Sequence, residues 1–377
     1  MAYLTLNQHK LKHNFEALRR LFNSHDISWG VVSKLLCGNP TYLEELLALG
    51  AREILDSRVS NLKMVKQLCP EAQTVYIKPP AMRAIPDIIR YVDVSFNTEL
   101  ETIQALSQEA CRQDKIHKII IMIEMGDLRE GVMRDDVVDF YAQVFELPNI
   151  QVIGLGTNLN CLSGVMPNED KLIQLGLYKR IIELTYDVSI PWVSAGTTVT
   201  IPLLQQGGVP KNVNHFRIGE ALFFGQDLVA NTTLEGFYDD IIMLNAEVIE
   251  VAEKPMTPSG ELGMTPQGKQ LSIEQSGQIE TAHRVILDVG YLDINPDYLV
   301  ALDEDISILH ASSDMIVLDV GSNATGIKVG DVVPFRLKYM GALHLMNSPY
   351  IDKLLTDEQQ PKPPQSSSTT AAVAMRA

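Results

Sequence analysis

The sequence predicts an α/β fold: a (β/α)8 barrel of TIM type over residues 8–230, followed by an all-β domain over residues 231–352 that residues 1–7 join. Three observations predict it. Before residue 226, eight short apolar runs alternate with helix-like stretches; the residues within those runs are mostly apolar; and beyond Gly225-Gln226-Asp227 the long helices between runs disappear. Mostly apolar strands separated by helices indicate a parallel sheet covered by helices. Eight such units in roughly 220 residues suit a closed barrel.

The first run, Ile27-Ser-Trp-Gly-Val-Val-Ser-Lys34, ends on a lysine and leads into Leu35-Leu-Cys-Gly-Asn-Pro40. A lysine closing a buried strand is expensive to desolvate unless something removes its charge, as an aldehyde cofactor does by forming a Schiff base. Runs at 53–56, 74–78, 92–96, 118–124, 152–159, 190–194 and 215–218 complete the eight. Helix-like stretches lie at 41–49, 58–68, 83–90, 98–112, 135–147, 168–187 and 199–206, with Asn97-Thr98, Asp135 and Asn168 read as caps. A doubly wound open sheet usually has fewer repeats, and no Gly-rich dinucleotide fingerprint follows the first strand. Runs at 239–251, 283–289, 306–309, 315–320 and 331–338 form the second domain. Lys254 to Thr281, rich in Pro, Gly, Ser and Gln, reads as an exposed hairpin or long loop. Residues 353–377 include Pro-Lys-Pro-Pro and Ser-Ser-Ser-Thr-Thr and read as a disordered tail.

Composition narrows the function. The 377 residues hold 31 Lys+Arg against 47 Asp+Glu, a net charge of −16 that disfavours nucleic acid and anionic membranes as partners. The four cysteines, Cys37, Cys69, Cys111 and Cys161, form no CxxC pair, so neither a zinc site nor a disulfide framework is indicated. No signal-like start and no run of 18 apolar residues is present, which leads us to expect a cytoplasmic protein with no membrane span.

In a barrel of this type catalytic groups gather where the strands end, and phosphate is often held after strands seven and eight. Those ends are Lys34, Glu124-Met-Gly-Asp-Leu-Arg-Glu-Gly131, Gly156-Thr-Asn-Leu-Asn160, Ser194-Ala-Gly-Thr-Thr198 and Arg217-Ile-Gly-Glu220. The last two turns can offer backbone N–H groups and hydroxyls to a phosphate. A phosphate site opposite a lysine suggests pyridoxal phosphate. Each piece alone has a plainer reading: a capped turn at 194–198, a surface ion pair for Arg129, a backbone-satisfying amide for Asn158. Their common location at strand ends is what joins them.

Taken together, these residues resemble the alanine racemase and ornithine racemase group of fold-type III pyridoxal-phosphate enzymes, over roughly residues 3 to 340. Gly126-Asp-Leu-Arg-Glu-Gly131 and Ala311-Ser-Ser-Asp314 are most similar to the ornithine racemase branch. The resemblance implies that Lys34 carries the cofactor, that Arg217 faces its pyridine nitrogen, and that Arg129 contacts the cofactor phenolate or the substrate carboxylate. It also implies that Asn158 and Gly196 belong to the cofactor shell and that Ser194, Thr197, Gly219 and Glu220 lie around the phosphate. Asp288-Val-Gly-Tyr-Leu-Asp293 is similar to the segment bearing the second catalytic base, Tyr291, which in this group enters from the partner subunit and so implies a homodimer. Ser313 and Asp314 are then placed at the substrate carboxylate. Two departures stand out: Leu35-Leu-Cys-Gly38 replaces the family's phosphate-binding tyrosine, and Asn158 stands where alanine racemases have a histidine.

The expected reaction is interconversion of L- and D-amino acids, of ornithine or another diamino or small amino acid, by proton transfer on two faces with Lys34 and Tyr291 as the two bases. The alternatives are a D-threonine aldolase-like lyase and a noncatalytic pyridoxal-phosphate-binding protein. The lyase reading calls for a divalent metal, and no metal-ligand spacing is evident in the C-terminal half. A noncatalytic carrier needs no second base.

Overall fold

A computed structural model describes residues 2–261, 263–264 and 281–357. Eight parallel strands close into a barrel in sequence order: Ser28–Val32, Glu53–Asp56, Gln73–Tyr76, Val94–Asn97, His117–Met122, Ile150–Gly156, Trp192–Gly196 and His215–Ile218. The last strand returns to the first, with Gly30 opposite Arg217 and Val31 opposite Ile218. These eight are the strands expected from the apolar runs. Seven expected helices are present as well, among them Pro40–Ala48, Leu100–Arg112 and Glu169–Tyr186.

Packing follows from the pattern. Leu55, Val75, Val94, Phe96, Ile120, Met122 and Ile153 form one buried cluster, and Leu62, Tyr76, Ile85, Ile88, Ile89, Val92, Leu106 and Ala110 another. Each fully buried aliphatic or aromatic side chain contributes about 1.5–3 kcal/mol relative to exposure. A helix the sequence reading did not anticipate, Gln8–Ser24, buries Leu11, Asn14, Phe15, Leu18 and Phe22. Phe22 packs on the Phe216 ring at 5.1 Å, and the Asn14 amide donates to the carbonyls of Leu222 and Tyr238. Of the three expected caps only Asn168 behaves as one, accepting from the Lys171 backbone N–H. Asn97 instead turns its amide back onto Ser95, and Asp135 lies inside a 3-10 turn, Arg134–Asp136.

A second sheet contains eight strands, six of them in the order Leu299–Ala301, Val332–Leu337, Ile242–Pro255, Thr281–Leu287, Ile316–Asp319 and Ser307–Ala311. Along this path of six every neighbouring pair is antiparallel. Ile242–Pro255 shifts register between Val248 and Glu250, and this lets one long strand pair with different partners along its length. Of the segment expected as an exposed loop, Lys254, Pro255 and Thr281 belong to this ladder, Pro255 opposite Thr281, because the antiparallel pairing runs further than the local composition suggests; residues 262 and 265–280 lie outside the described residues.

The tail reading needs correcting at its start. Asp352–Thr356 is a strand, parallel to Tyr3–Asn7, which itself pairs antiparallel with Ile242–Pro255. Its ladder partner lies near the other end of the sequence, so local composition hides it; residues 358–377 lie outside the described residues. A helix at Tyr339–Asn347, also unanticipated, buries Gly341, Ala342, Leu345 and Met346.

The chain divides into two compact units. One is built on His9–Ser33 and Glu44–Asp239, and the other on Met1–Gln8, Lys34–Leu43 and Asp240–Thr356. Residues 34–43 thus group with the second sheet, although Lys34 directly follows a barrel strand. No helix among the described residues is long and apolar enough to cross a membrane.

Candidate active site

Within the barrel unit the polar groups converge on Arg217. Side chains alternate along a strand, so His215 and Arg217 share one face of the last barrel strand while Phe216 takes the other. All three are buried. Arg217 Nη1 donates to the carbonyl of Ser194 and to its Oγ, each at 2.7 Å. Nη2 donates to the Thr157 carbonyl at 2.8 Å and to Asn158 Oδ1 at 2.7 Å. The guanidinium carbon lies 5.4 Å from the centre of the Phe96 ring. All four acceptors are uncharged, and burial pushes the guanidinium down to about 10, still cationic at neutral pH. A guanidinium has five N–H donors; Nε–H takes no part in these four bonds.

Two loops extend the network. Asn158 donates its amide to Glu130, whose carboxylate also receives the fork of Arg129. That pairing holds Arg129 above its ordinary range. The chain Arg129, Glu130, Asn158, Arg217 thus links the loops after strands five and six to the end of strand eight. Asp127 locks those loops together: its buried carboxylate accepts the backbone N–H groups of Cys161, Leu162, Ser163 and Val165. Nothing in the local sequence of Asp127 signals this, because all four donors lie more than thirty residues downstream.

The two phosphate-candidate turns are also joined. Thr197 caps the 3-10 turn Thr198–Thr200 through a capping box with Thr200. Thr198 Oγ1 accepts from the backbone of Ala221, just inside the short helix Glu220–Phe224 that Gly219 precedes. Two helical starts therefore lie side by side. Gly196 serves packing: a Cβ there would lie 2.1 Å from the Phe216 ring. Ser194 departs from the phosphate expectation. Its hydroxyl is fully buried and taken up by Arg217 and His215, so it seats the guanidinium.

Lys34 opens a 3-10 turn, Lys34–Leu36, immediately after Ser33. Ser33 is fixed by its N–H to the Leu55 carbonyl at 2.8 Å and its hydroxyl to Asp56 at 3.0 Å. Burial raises the Asp56 carboxyl, while hydrogen bonds from Arg58, Asn61 and Ser33 pull it back. Within its own unit, the Lys34 ammonium lies 5.6 Å from the centre of the Tyr339 ring. No motif in the sequence marks Tyr339, which sits on the helix Tyr339–Asn347.

The second sheet's unit brings the other candidates together. The Tyr291 N–H donates to the Ser312 carbonyl at 3.0 Å and the Leu292 N–H to the Ser313 carbonyl at 2.8 Å. Gly290 makes this approach possible, since a Cβ there would lie 2.5 Å from the backbone of Asp314. Tyr291, Ser313 and Asp314 thus occupy two apposed turns. The Tyr291 side chain is exposed, and hydrogen bonds from Ser312 and Ser313 hold the solvent-facing Asp314 carboxyl below its ordinary range.

Comparison with known proteins gives the family of the chain. The family described as alanine racemase, N-terminal domain, matches residues 6–227. The ornithine racemase of Acetoanaerobium sticklandii is 31% identical over 353 residues, 93% of this chain and 99% of that protein. The lysine racemase of Thermotoga maritima is 30% identical over 351 residues, 93% and 97% of the two chains. Among solved structures, alanine racemase of Clostridium difficile superposes with a TM-score of 0.72 at 14% identity, covering 95% of this chain and 96% of that one. D-threonine aldolase from Filomicrobium marinum gives 0.68 at 14% identity, covering 91% and 88%. At such identities the structural likeness speaks to the fold alone.

Proposed function

The chain belongs to the alanine racemase family and is an amino-acid racemase; on that premise we propose that it carries pyridoxal phosphate on Lys34 and interconverts the enantiomers of ornithine or another diamino acid. The observation that carries the cofactor reading is Arg217. Its four terminal N–H groups are held by neutral acceptors, and Nε–H stands outside those bonds. A single cationic donor fits an aromatic ring nitrogen that accepts one hydrogen bond and stays unprotonated. Thr197, Gly219 and Glu220, at the two joined helical starts, fit the phosphate.

Bound there, pyridoxal phosphate supplies an electron sink for the pair left when the α-proton departs. The residues of this chain do the rest. Lys34 Nζ handles the α-proton on one face and Tyr291 Oη on the other, as racemisation requires. Arg217, cationic at neutral pH, disfavours protonation of the ring nitrogen and so favours return of the proton to the α-carbon over transamination. Arg129, oriented by Glu130, binds the substrate carboxylate or the cofactor phenolate. Exposure of Tyr291 supports a second subunit as the source of that base, with Ser313 and Asp314 delivered on the same pair of turns. The diamino acid preference rests on the ornithine and lysine racemases that align over nearly the whole chain. Four free cysteines suit the reducing cytoplasm.

The test is a panel of L-amino acids incubated with cofactor-saturated protein and read by chiral chromatography. Ornithine or lysine should racemise faster than alanine. Borohydride reduction followed by peptide mapping should fix the cofactor at Lys34; label on another lysine, or no cofactor bound at saturation, overturns the assignment.

A further inference from the structure

Arg217 is held by a second relay that runs deeper into the barrel. Ser194 Oγ lies 2.7 Å from His215 Nδ1, and His215 Nε2 lies 2.7 Å from Glu53 Oε1. The three residues come from barrel strands seven, eight and two. Ser194 and His215 are fully buried, and the imidazole stacks on Trp192 at 4.3 Å and 7°. Glu53 is the anion at the far end, with its side chain 12% exposed.

The direction of the hydrogen bonds follows from the donors available. Arg217 can only donate, so Ser194 Oγ accepts from it and has its own hydrogen to give. His215 Nδ1 is 2.7 Å away and takes that hydrogen when it is the unprotonated ring nitrogen. The ring hydrogen then sits on Nε2, where the Glu53 carboxylate accepts it. Every bond in Arg217, Ser194, His215, Glu53 thus points the same way, toward the carboxylate, and such chains strengthen one another in a low dielectric. An imidazolium at His215 would instead donate at Nδ1 and turn the serine hydrogen away.

We propose that His215 and Glu53 are positioning residues for Arg217: a neutral, Nε2-protonated His215, oriented by Glu53 and clamped on Trp192, holds the Ser194 hydroxyl so that the guanidinium is fixed in one plane. A buried polar chain of this kind is no better for stability than apolar packing of equal volume. Its return lies in orientation: with Nη1 held by Ser194 and Nη2 by Thr157 and Asn158, the guanidinium cannot swing, and Nε–H keeps one direction. The catalytic consequence, though not the relay itself, rests on the reading that Arg217 faces the cofactor ring.

The relay is tested on the full-length protein by histidine-selective 15N NMR at neutral pH, with the His215 signals assigned by their loss in His215→Gln. A neutral ring with its hydrogen on Nε2 is expected; an Nδ1–H tautomer or an imidazolium overturns the proposal whatever the enzyme turns over. Glu53→Gln, which keeps volume but removes the charged acceptor, and His215→Phe, which keeps the stacked ring, are then compared as holoenzymes. Both should lower kcat about 10- to 100-fold with KM little changed, shift the cofactor absorbance band and raise the share of transamination. Wild-type kcat, partition and spectrum in both variants overturn the positioning role. If Arg217→Gln also leaves partition and spectrum unchanged while the tautomer is as stated, the relay stands and the reading of Arg217 fails.

Discussion

The barrel and the second sheet present their candidate functional groups in opposite ways. In the barrel, Arg217, Ser194 and His215 are buried and bonded to one another, and the loops around them are closed by the carboxylates of Asp127 and Glu130. In the second sheet's unit, Tyr291 is 44% exposed on a turn held by two backbone hydrogen bonds to its neighbour. A buried network is arranged once, when the barrel folds, and needs nothing further to keep its geometry. An exposed tyrosine acquires a defined environment only when something covers it. The difference teaches that the barrel groups are preorganised, whereas Tyr291, on the function proposed above, would gain its environment only from a second subunit.

The comparison breaks most visibly at Tyr291. Tyr291→Phe removes one hydroxyl from an exposed ring, so unfolding should be unchanged while racemisation falls about 10²- to 10⁴-fold. Exchange of the α-proton into deuterated solvent should survive for one enantiomer only. Mixing inactive Lys34→Ala and Tyr291→Phe proteins under subunit exchange should restore part of the activity, because one site of each heterodimer then has both wild-type groups. Heterodimers without activity would show that assembly does not complete the site.

Acid should act on the barrel first. Burial holds His117, bonded to Ser95 at 2.8 Å, at about 4, against an ordinary value of 6.5. Because the folded value is the lower one, the unfolded chain binds the proton first, and stability present above pH 6.5 is lost as pH falls toward 4. The loss amounts to about 3 kcal/mol at most. Urea titrations across this range should show that slope in wild type and a flatter one in His117→Gln. The smallest effect is expected at Asn158, which bridges Glu130 and Arg217. Asn158→Ala leaves a buried guanidinium N–H without its acceptor and should lower unfolding free energy by about 1–3 kcal/mol, measured at neutral pH.

The sequence shows the eight barrel strands because they are short, mostly apolar runs set between helix-like stretches, a local property. It singles out Arg129, Asn158, Arg217 and Tyr291 as candidates because their segments have recognisable neighbours. The relay through Ser194, His215 and Glu53 is not legible: the three lie on separate strands far apart in sequence, and only barrel closure brings them together. Asp127 escaped notice for a similar reason, its four donors lying in a loop far along the chain. The helix Gln8–Ser24 carries Leu11, Phe15, Leu18 and Phe22 at helical spacing, but its many polar residues obscured the pattern. Asp352–Thr356 abuts a Pro- and Ser-rich stretch, and its hydrogen-bonding partner is Tyr3–Asn7.

That last pairing bears on the order of biosynthesis. Tyr3–Asn7 emerges from the ribosome before the other strands among the described residues, yet both of its neighbours in the sheet, Ile242–Pro255 and Asp352–Thr356, are translated hundreds of residues later. Leu4 and Leu6, fully buried in the finished sheet, therefore remain uncovered through most of synthesis. Every barrel strand has left the ribosome by then, so the earliest-made strand is among the last to find its place.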